Sequence, residues 1–161
     1  MRPTILLVDD DSNILDGLNR VLRGERYVTY TAHNVDEAIA VLGRHRVDVI
    51  VSDEQMPGAV GSELLTFARQ RYPDTIRIML TGKANVQSAL RAVESGRVFR
   101  FLDKPCSSDK VLGTIREALL KRSVLTARHG HGGQLSMSQA EATKVFERVA
   151  TQDVKRRQGG D

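Results

Sequence analysis

Short apolar runs alternate with stretches of helical periodicity five times between residues 4 and 122. Ile5-Leu6-Leu7-Val8 is a continuous apolar run of the kind shown by a strand buried on both faces. Ile14, Leu15, Leu18, Val21 and Leu22 then recur at the spacing of one helix face, with Ser12 expected as N-cap and Gly24 as stop. Tyr27 to Thr31 is β-rich, and Asn34-x-x-Glu37 has the form of a capping box ahead of Ala38, Val41 and Leu42. Val47 to Val51 predicts a third strand, Pro57-Gly58 a turn, and Leu64, Leu65 and Ala68 a third helix. Ile76 to Leu80 predicts a fourth strand, followed by a helix from Asn85 to Glu94 that Gly96 ends. Val98 to Leu102 predicts a fifth, and Val111, Leu112, Ile115, Ala118 and Leu119 mark one face of a fifth helix.

This alternation predicts βαβ units and so a parallel sheet covered on both faces: an α/β, flavodoxin-like, doubly wound fold with five strands in the order 2-1-3-4-5. Five units are too few to close an eight-stranded barrel. Residues 1–122 are expected to form this domain. The pattern changes after Arg122. Residues 123–135 contain Gly130, Gly132 and Gly133 and are expected to be a flexible linker. Residues 136–161 are expected to form a tail helix, capped by Ser138-x-x-Glu141 and carrying Ala142, Val145, Phe146 and Val149 on one face, with a basic, Gly-rich end. One helix cannot make a domain alone, so this stripe is expected to dock or self-associate.

Composition narrows the function classes. The chain has 161 residues, 40% hydrophobic and 27% charged, which fits a soluble globular protein. No apolar run approaches the ~20 residues of a membrane span, and Met1-Arg2-Pro3 opens no leader pattern, so the expected compartment is the cytoplasm. Lone Cys106 can form no internal disulfide and reads as a small packing residue. The net charge of +4 suggests nucleic acid at first sight, but residues 1–122 carry 18 Lys/Arg against 16 Asp/Glu. Aromatics make up only 4% of the chain, so the dense basic and aromatic face of a nucleic-acid binder is missing from the sequence.

Ligands of open parallel sheets bind beyond the carboxyl ends of the strands, so the residues just past each apolar run are the ones that carry chemistry. Strand one ends in Asp9-Asp10-Asp11, strand three in Ser52-Asp53-Glu54, strand four in Thr81-Gly82 and strand five in Asp103-Lys104-Pro105. The strand order would bring the first two sets face to face. Two carboxylates about 4 Å apart repel by roughly 4 kcal/mol at an effective dielectric of 20. Such a set calls for a cation, and an all-oxygen site suits Mg²⁺ with room for a phosphate oxygen. His and Cys at zinc-ligand spacing are missing from the sequence. A carboxylate can attack phosphorus, while a metal, a lysine and a hydroxyl stabilise the transferring group. The residues read as a Mg²⁺-assisted phosphoryl site.

ILLVDDD (5–11), VSDEQMPG (51–58), IMLTG (78–82) and FLDKP (101–105) resemble, in order and spacing, the motifs of two-component response-regulator receiver domains. The likeness covers residues 3–121. DEQMPG and RVFRFLDKP further resemble a subgroup whose receivers precede ATPase, DNA-binding or cyclic-dinucleotide phosphodiesterase modules, none of which fits into the tail.

The resemblance implies that Asp53 accepts a phosphoryl group from a histidine kinase or phosphotransfer protein, with no separate substrate. It implies Mg²⁺ held by Asp10, Asp53 and the backbone carbonyl of Gln55, with Asp9 acting through a water. Lys104 would contact the phosphoryl group ahead of a cis peptide to Pro105, Thr81 would move its hydroxyl onto it, and Phe101 would be the aromatic switch. Gln55 and Lys83 sit where side chains tune dephosphorylation. Cys106 departs from the aromatic residue common after the Lys-Pro pair. The altered surface of helix four, strand five and helix five would be read by the tail helix or a separate protein, and that face or the tail could pair two copies. Two other readings stay open: a phosphorylation-independent adaptor that dimerises or docks through its tail helix, and a Mg²⁺-dependent phosphohydrolase, which the missing Asp-x-Asp arrangement disfavours.

Overall fold

The apolar runs form the strands and the periodic stretches the helices. The computed structural model describes residues 1–129 and 138–158, apart from the side chains at 59, 60, 83, 129, 139, 149, 150 and 152–158. In chain order the elements are β1 (Thr4–Val8), α1 (Ser12–Leu22), β2 (Val28–Ala32), α2 (Val35–Arg44), β3 (Val49–Asp53), β4 (Gln55–Met56), β5 (Ala59–Val60), α3 (Gly61–Arg71), β6 (Ile76–Thr81), α4 (Val86–Glu94), β7 (Arg100–Asp103), α5 (Ser108–His129) and α6 (Gln139–Gln158). Five strands pair in parallel in the order β2-β1-β3-β6-β7, the expected order once the two-residue hairpin β4–β5 around Pro57-Gly58 is set aside.

Side chains alternate across each strand, which divides the core in two. Ile5, Leu7, Val49, Val51, Ile78 and Leu80 pack with Leu15, Leu18 and Leu22 of α1 and Val111, Ile115 and Ala118 of α5. Leu6, Val8, Ile50 and Met79 pack on the other face with residues of α2, α3 and α4. Both faces of β3 are therefore covered, and all five of its residues are buried.

Helix ends follow local chemistry, with two departures from expectation. Asp11, not Ser12, is the N-cap of α1, its carboxylate accepting from the Asn13 amide at 2.9 Å. Asn34 caps α2 by accepting from the Glu37 amide at 2.8 Å, but Glu37 reaches the amide of His33, one residue earlier than a capping box requires. Gly96 adopts a φ of +71° after α4, a conformation that favours glycine, and so turns the chain towards β7.

α5 does not stop at Arg122. It continues through Ser123–His129, where a linker was expected; the first glycine after Arg122 is Gly130, and the remainder of the expected linker, 130–135, lies outside the described residues, as do 136 and 137. Arg122 lies 2.8 Å from Asp48, both mostly buried, which ties this helix to the segment entering β3.

α6 docks on its own domain. Ser138 and Glu141 form the reciprocal capping box, with the Ser138 amide donating to Glu141 at 2.9 Å and the Glu141 amide to the Ser138 hydroxyl at 3.3 Å. Ala142 is fully buried, Val145 and Phe146 join the α2–α3 core, and the Phe146 ring meets Phe67 edge-on with centroids 5.9 Å apart. The helix packs across α2 and α3, whereas the face of α4, β7 and α5 was the one expected to be read by the tail helix or by a separate protein.

Candidate functional site

The chemistry gathers at the carboxyl ends of β1, β3, β6 and β7. Asp9 comes directly after β1, and its amide still bonds the carbonyl of Ala32 on β2, so its side chain turns inward at 1% exposure. One oxygen accepts from the Asp11 amide at 2.9 Å, bending the chain into α1. The other accepts from Lys104 Nζ at 2.8 Å. Asp53 is the last residue of β3, held by its pairing with Leu80 and 8% exposed. Its Oδ1 accepts from the Gln55 amide at 3.4 Å and lies 3.1 Å from Lys104 Nζ. Lys104 comes directly after β7, its amide bonded to the carbonyl of Thr81 and its peptide bond to Pro105 cis. One ammonium thus bridges carboxylates from the two adjacent central strands.

Asp10 is exposed beside this pair, and oxygens of Asp9, Asp10 and Asp53 all lie within 4.8 Å of one another. Burial pushes the Asp53 carboxyl up; the Lys104 charge opposes this, while Asp9 adds to it, and the net direction stays upward. Burial alone would lower Lys104, but its hydrogen bond to Asp9 and the charges of Asp53 and Asp9 hold it above its ordinary value. A single ammonium therefore does not satisfy the set. The carboxylates retain excess negative charge in an all-oxygen donor set, which fits a small divalent cation.

The other expected residues lie on β4, β6 and β7 and in the turn after β6. Thr81 ends β6, fully buried, and its hydroxyl donates to Glu54 Oε2 at 3.0 Å. Phe101 on β7 is half-buried against the core that holds Ala89 and Ala92 of α4. Gln55 is exposed on β4. Lys83 opens a short 3-10 turn, Lys83–Asn85, and its side chain lies outside the described residues. Cys106 packs half-buried on the α1–α5 core, and burial raises its thiol.

Gly61 escaped the sequence reading, and Glu54 was placed at the sheet edge without a role of its own. Glu54 is buried and bonded to the Thr81 hydroxyl although nothing in its neighbours in sequence marks it as inward-facing. Gly61 begins α3 directly against β3: its amide donates to the Glu54 carbonyl at 2.8 Å, and a Cβ there would lie 1.8 Å from the Asp53 carbonyl oxygen. The sequence signal for the latter was a glycine at the start of a helix, where no turn called for one.

Comparison with known proteins covers the stretch of chain that holds these residues. A family model described as the response regulator receiver domain matches residues 5–116. The chain is 34% identical over 116 residues to the hydrogenase transcriptional regulatory protein HoxA of Cupriavidus necator, covering 72% of this chain and 24% of that protein. It is 34% identical over 118 residues to the DNA-binding transcriptional regulator NtrC of Salmonella typhimurium, covering 73% of this chain and 25% of NtrC. It thus spans about a quarter of the length of these curated relatives. The solved signal receiver domain of an HD domain-containing protein from Pseudomonas fluorescens is similar with a TM-score of 0.74 at 33% identity, over 79% of this chain and 93% of that one. With strand order, acidic cluster and sequence in agreement, the chain belongs to the response regulator receiver domain family of two-component signalling.

Proposed function

We propose that the chain is a phosphoacceptor switch in which Asp53 takes a phosphoryl group from a histidine kinase or phosphotransfer protein in the cytoplasm. The observation that carries this reading is the unbalanced charge around Lys104, one ammonium between the carboxylates of Asp9 and Asp53 with Asp10 beside them. Such a set favours a cation, and a bound cation together with Lys104 would offset the charge of a transferring phosphoryl group.

Asp9, through a water, with Asp10, Asp53 and the backbone carbonyl of Gln55 would hold Mg²⁺, which when bound neutralises charge on the phosphoryl oxygens. An Asp53 carboxylate oxygen attacks phosphorus, the bond from phosphorus to the donor breaks, and the electron pair leaves with the donor's nitrogen or oxygen. Lys104 Nζ, already 3.1 Å from Asp53, turns onto a phosphoryl oxygen and stabilises its charge. The Thr81 hydroxyl donates to another phosphoryl oxygen, and Phe101 moves inward after it. These contacts favour one of two arrangements of α4, β7 and α5, the face that an output partner or a second copy would read. Gln55 and Lys83 are the positions whose side chains would tune the lifetime of the acyl phosphate. The phosphoryl group stays on the chain itself, so no separate substrate is required.

Incubation with Mg²⁺ and a small phosphodonor, followed by intact-mass measurement, tests this. One added phosphoryl group with Mg²⁺ and none in chelator is expected; no addition under conditions that label a control receiver would overturn the reading.

A further inference from the structure

Glu54 is the residue next to the proposed acceptor, yet it is only 7% exposed. A carboxylate so enclosed requires a hydrogen-bond partner. That partner is the hydroxyl of Thr81, which donates to Glu54 Oε2 at 3.0 Å and is itself wholly buried. The main chain fixes both ends of this contact. The Glu54 amide donates to the carbonyl of Leu80, the residue before Thr81, at 2.9 Å, and its carbonyl accepts from the Gly61 amide at 2.8 Å. The other acceptor of the hydroxyl is the Gly82 carbonyl, more distant at 3.3 Å.

A threonine hydroxyl has one proton to donate. While it is given to Glu54 it cannot be given to a phosphoryl oxygen. We propose that Glu54 is the resting-state latch of the switch: a positioning residue that holds the Thr81 hydroxyl away from Asp53 until a phosphoryl group outcompetes it. This rests on the phosphoacceptor reading and deepens it. Switching is then an exchange of one charged acceptor for another. The latch sets the threshold, because a ligand moves a two-state equilibrium only by its differential affinity for the two states. Hydrogen bonds to ionised groups are among the strong ones, so removing this acceptor releases about a tenfold bias towards rest.

The test uses the whole chain with Mg²⁺ and beryllofluoride, a phosphoryl mimic, followed through the Thr81 methyl resonance by NMR. Glu54→Leu is expected to bind beryllofluoride about tenfold more tightly than wild type. Glu54→Gln keeps an uncharged acceptor, and its affinity should fall between the two; it also serves if the leucine variant folds poorly. In a Thr81→Ala background the Glu54 substitutions should have no effect. In free protein, three-bond couplings should report a single Thr81 χ1 rotamer in wild type and averaging in Glu54→Leu. Equal affinities for wild type and both Glu54 variants would overturn the latch alone, as would tightening that persists without the threonine hydroxyl. A wild-type protein that takes up no beryllofluoride would overturn the phosphoacceptor reading and the latch with it.

Discussion

Gly61→Ala adds one methyl group at the point where α3 touches the end of β3. The new carbon would lie 1.8 Å from the Asp53 carbonyl oxygen, 2.8 Å from its carbon and 3.1 Å from the Glu54 Cα, where ordinary contact begins at 3.4 Å. Methyl and oxygen must therefore separate by about 1.6 Å, the difference between those two distances. Neither side yields freely. Asp53 is paired with Leu80, and α3 cannot slide away without stretching the Gly61 amide bond to the Glu54 carbonyl. Overpacking of this kind costs about 1–3 kcal/mol, and the backbone hydrogen bond adds about 1 kcal/mol. At roughly 2–4 °C per kcal/mol for a chain of this size, the melting temperature should fall by roughly 4–16 °C. A displacement on the order of 1 Å at the nucleophile should also slow Asp53 labelling by about a hundredfold. Gly17→Ala in α1 and Gly113→Ala in α5 provide the contrast, since nothing lies within 4 Å of a Cβ at either position. Each should stabilise by roughly 0.5–1 kcal/mol through helix propensity. Thermal melts followed by circular dichroism and labelling rates by mass check all three. Gly61→Ala melting at or above wild type, with labelling unchanged, would refute the steric reasoning.

Lys104→Met should slow phosphodonor labelling by roughly a hundredfold while the circular dichroism spectrum is retained; a rate within a fewfold of wild type would show that the ammonium does not stabilise the transferring group. In metal-free buffer Asp53→Asn should melt higher than wild type at neutral pH. The raised Asp53 carboxyl means that the folded state binds this proton more tightly than the unfolded chain, so stability is lost as pH rises above about 4. The gain from asparagine should vanish below that pH, and a gain independent of pH would contradict the assignment. Phe146→Ala removes the edge-on contact with Phe67. Amide exchange in α6 should then accelerate by roughly tenfold while α1 and β3 keep their protection, and uniform loss across the chain would instead make α6 part of the global folding unit.

The fold could be read from the sequence because strands buried on both faces appear as continuous apolar runs, and the site because each run ends in the residues it delivers. Boundaries were less legible. The run Val47–Val51 marks burial, but the ladder of β3 extends through Ser52 and Asp53, since backbone hydrogen bonds to β6 form whatever the side chain. Asp11 and Ser12 are both competent caps, and only the backbone geometry selects Asp11. The stripe of Ala142, Val145 and Phe146 indicates that the tail helix needs a partner surface, but one helix's periodicity carries nothing about where that surface lies. The roles of Glu54 and Gly61 were not legible for a related reason: they arise from contacts with Thr81 and the Asp53 carbonyl across the fold.

The central claim is that Asp53, rather than Asp9 or Asp10, receives the phosphoryl group. Borohydride reduces an aspartyl phosphate to homoserine, so reduction of the labelled protein followed by peptide sequencing reads the acceptor directly. Homoserine at position 53 alone is the predicted result. Homoserine at 9 or 10, or intact aspartate at 53 in fully labelled protein, would contradict the account.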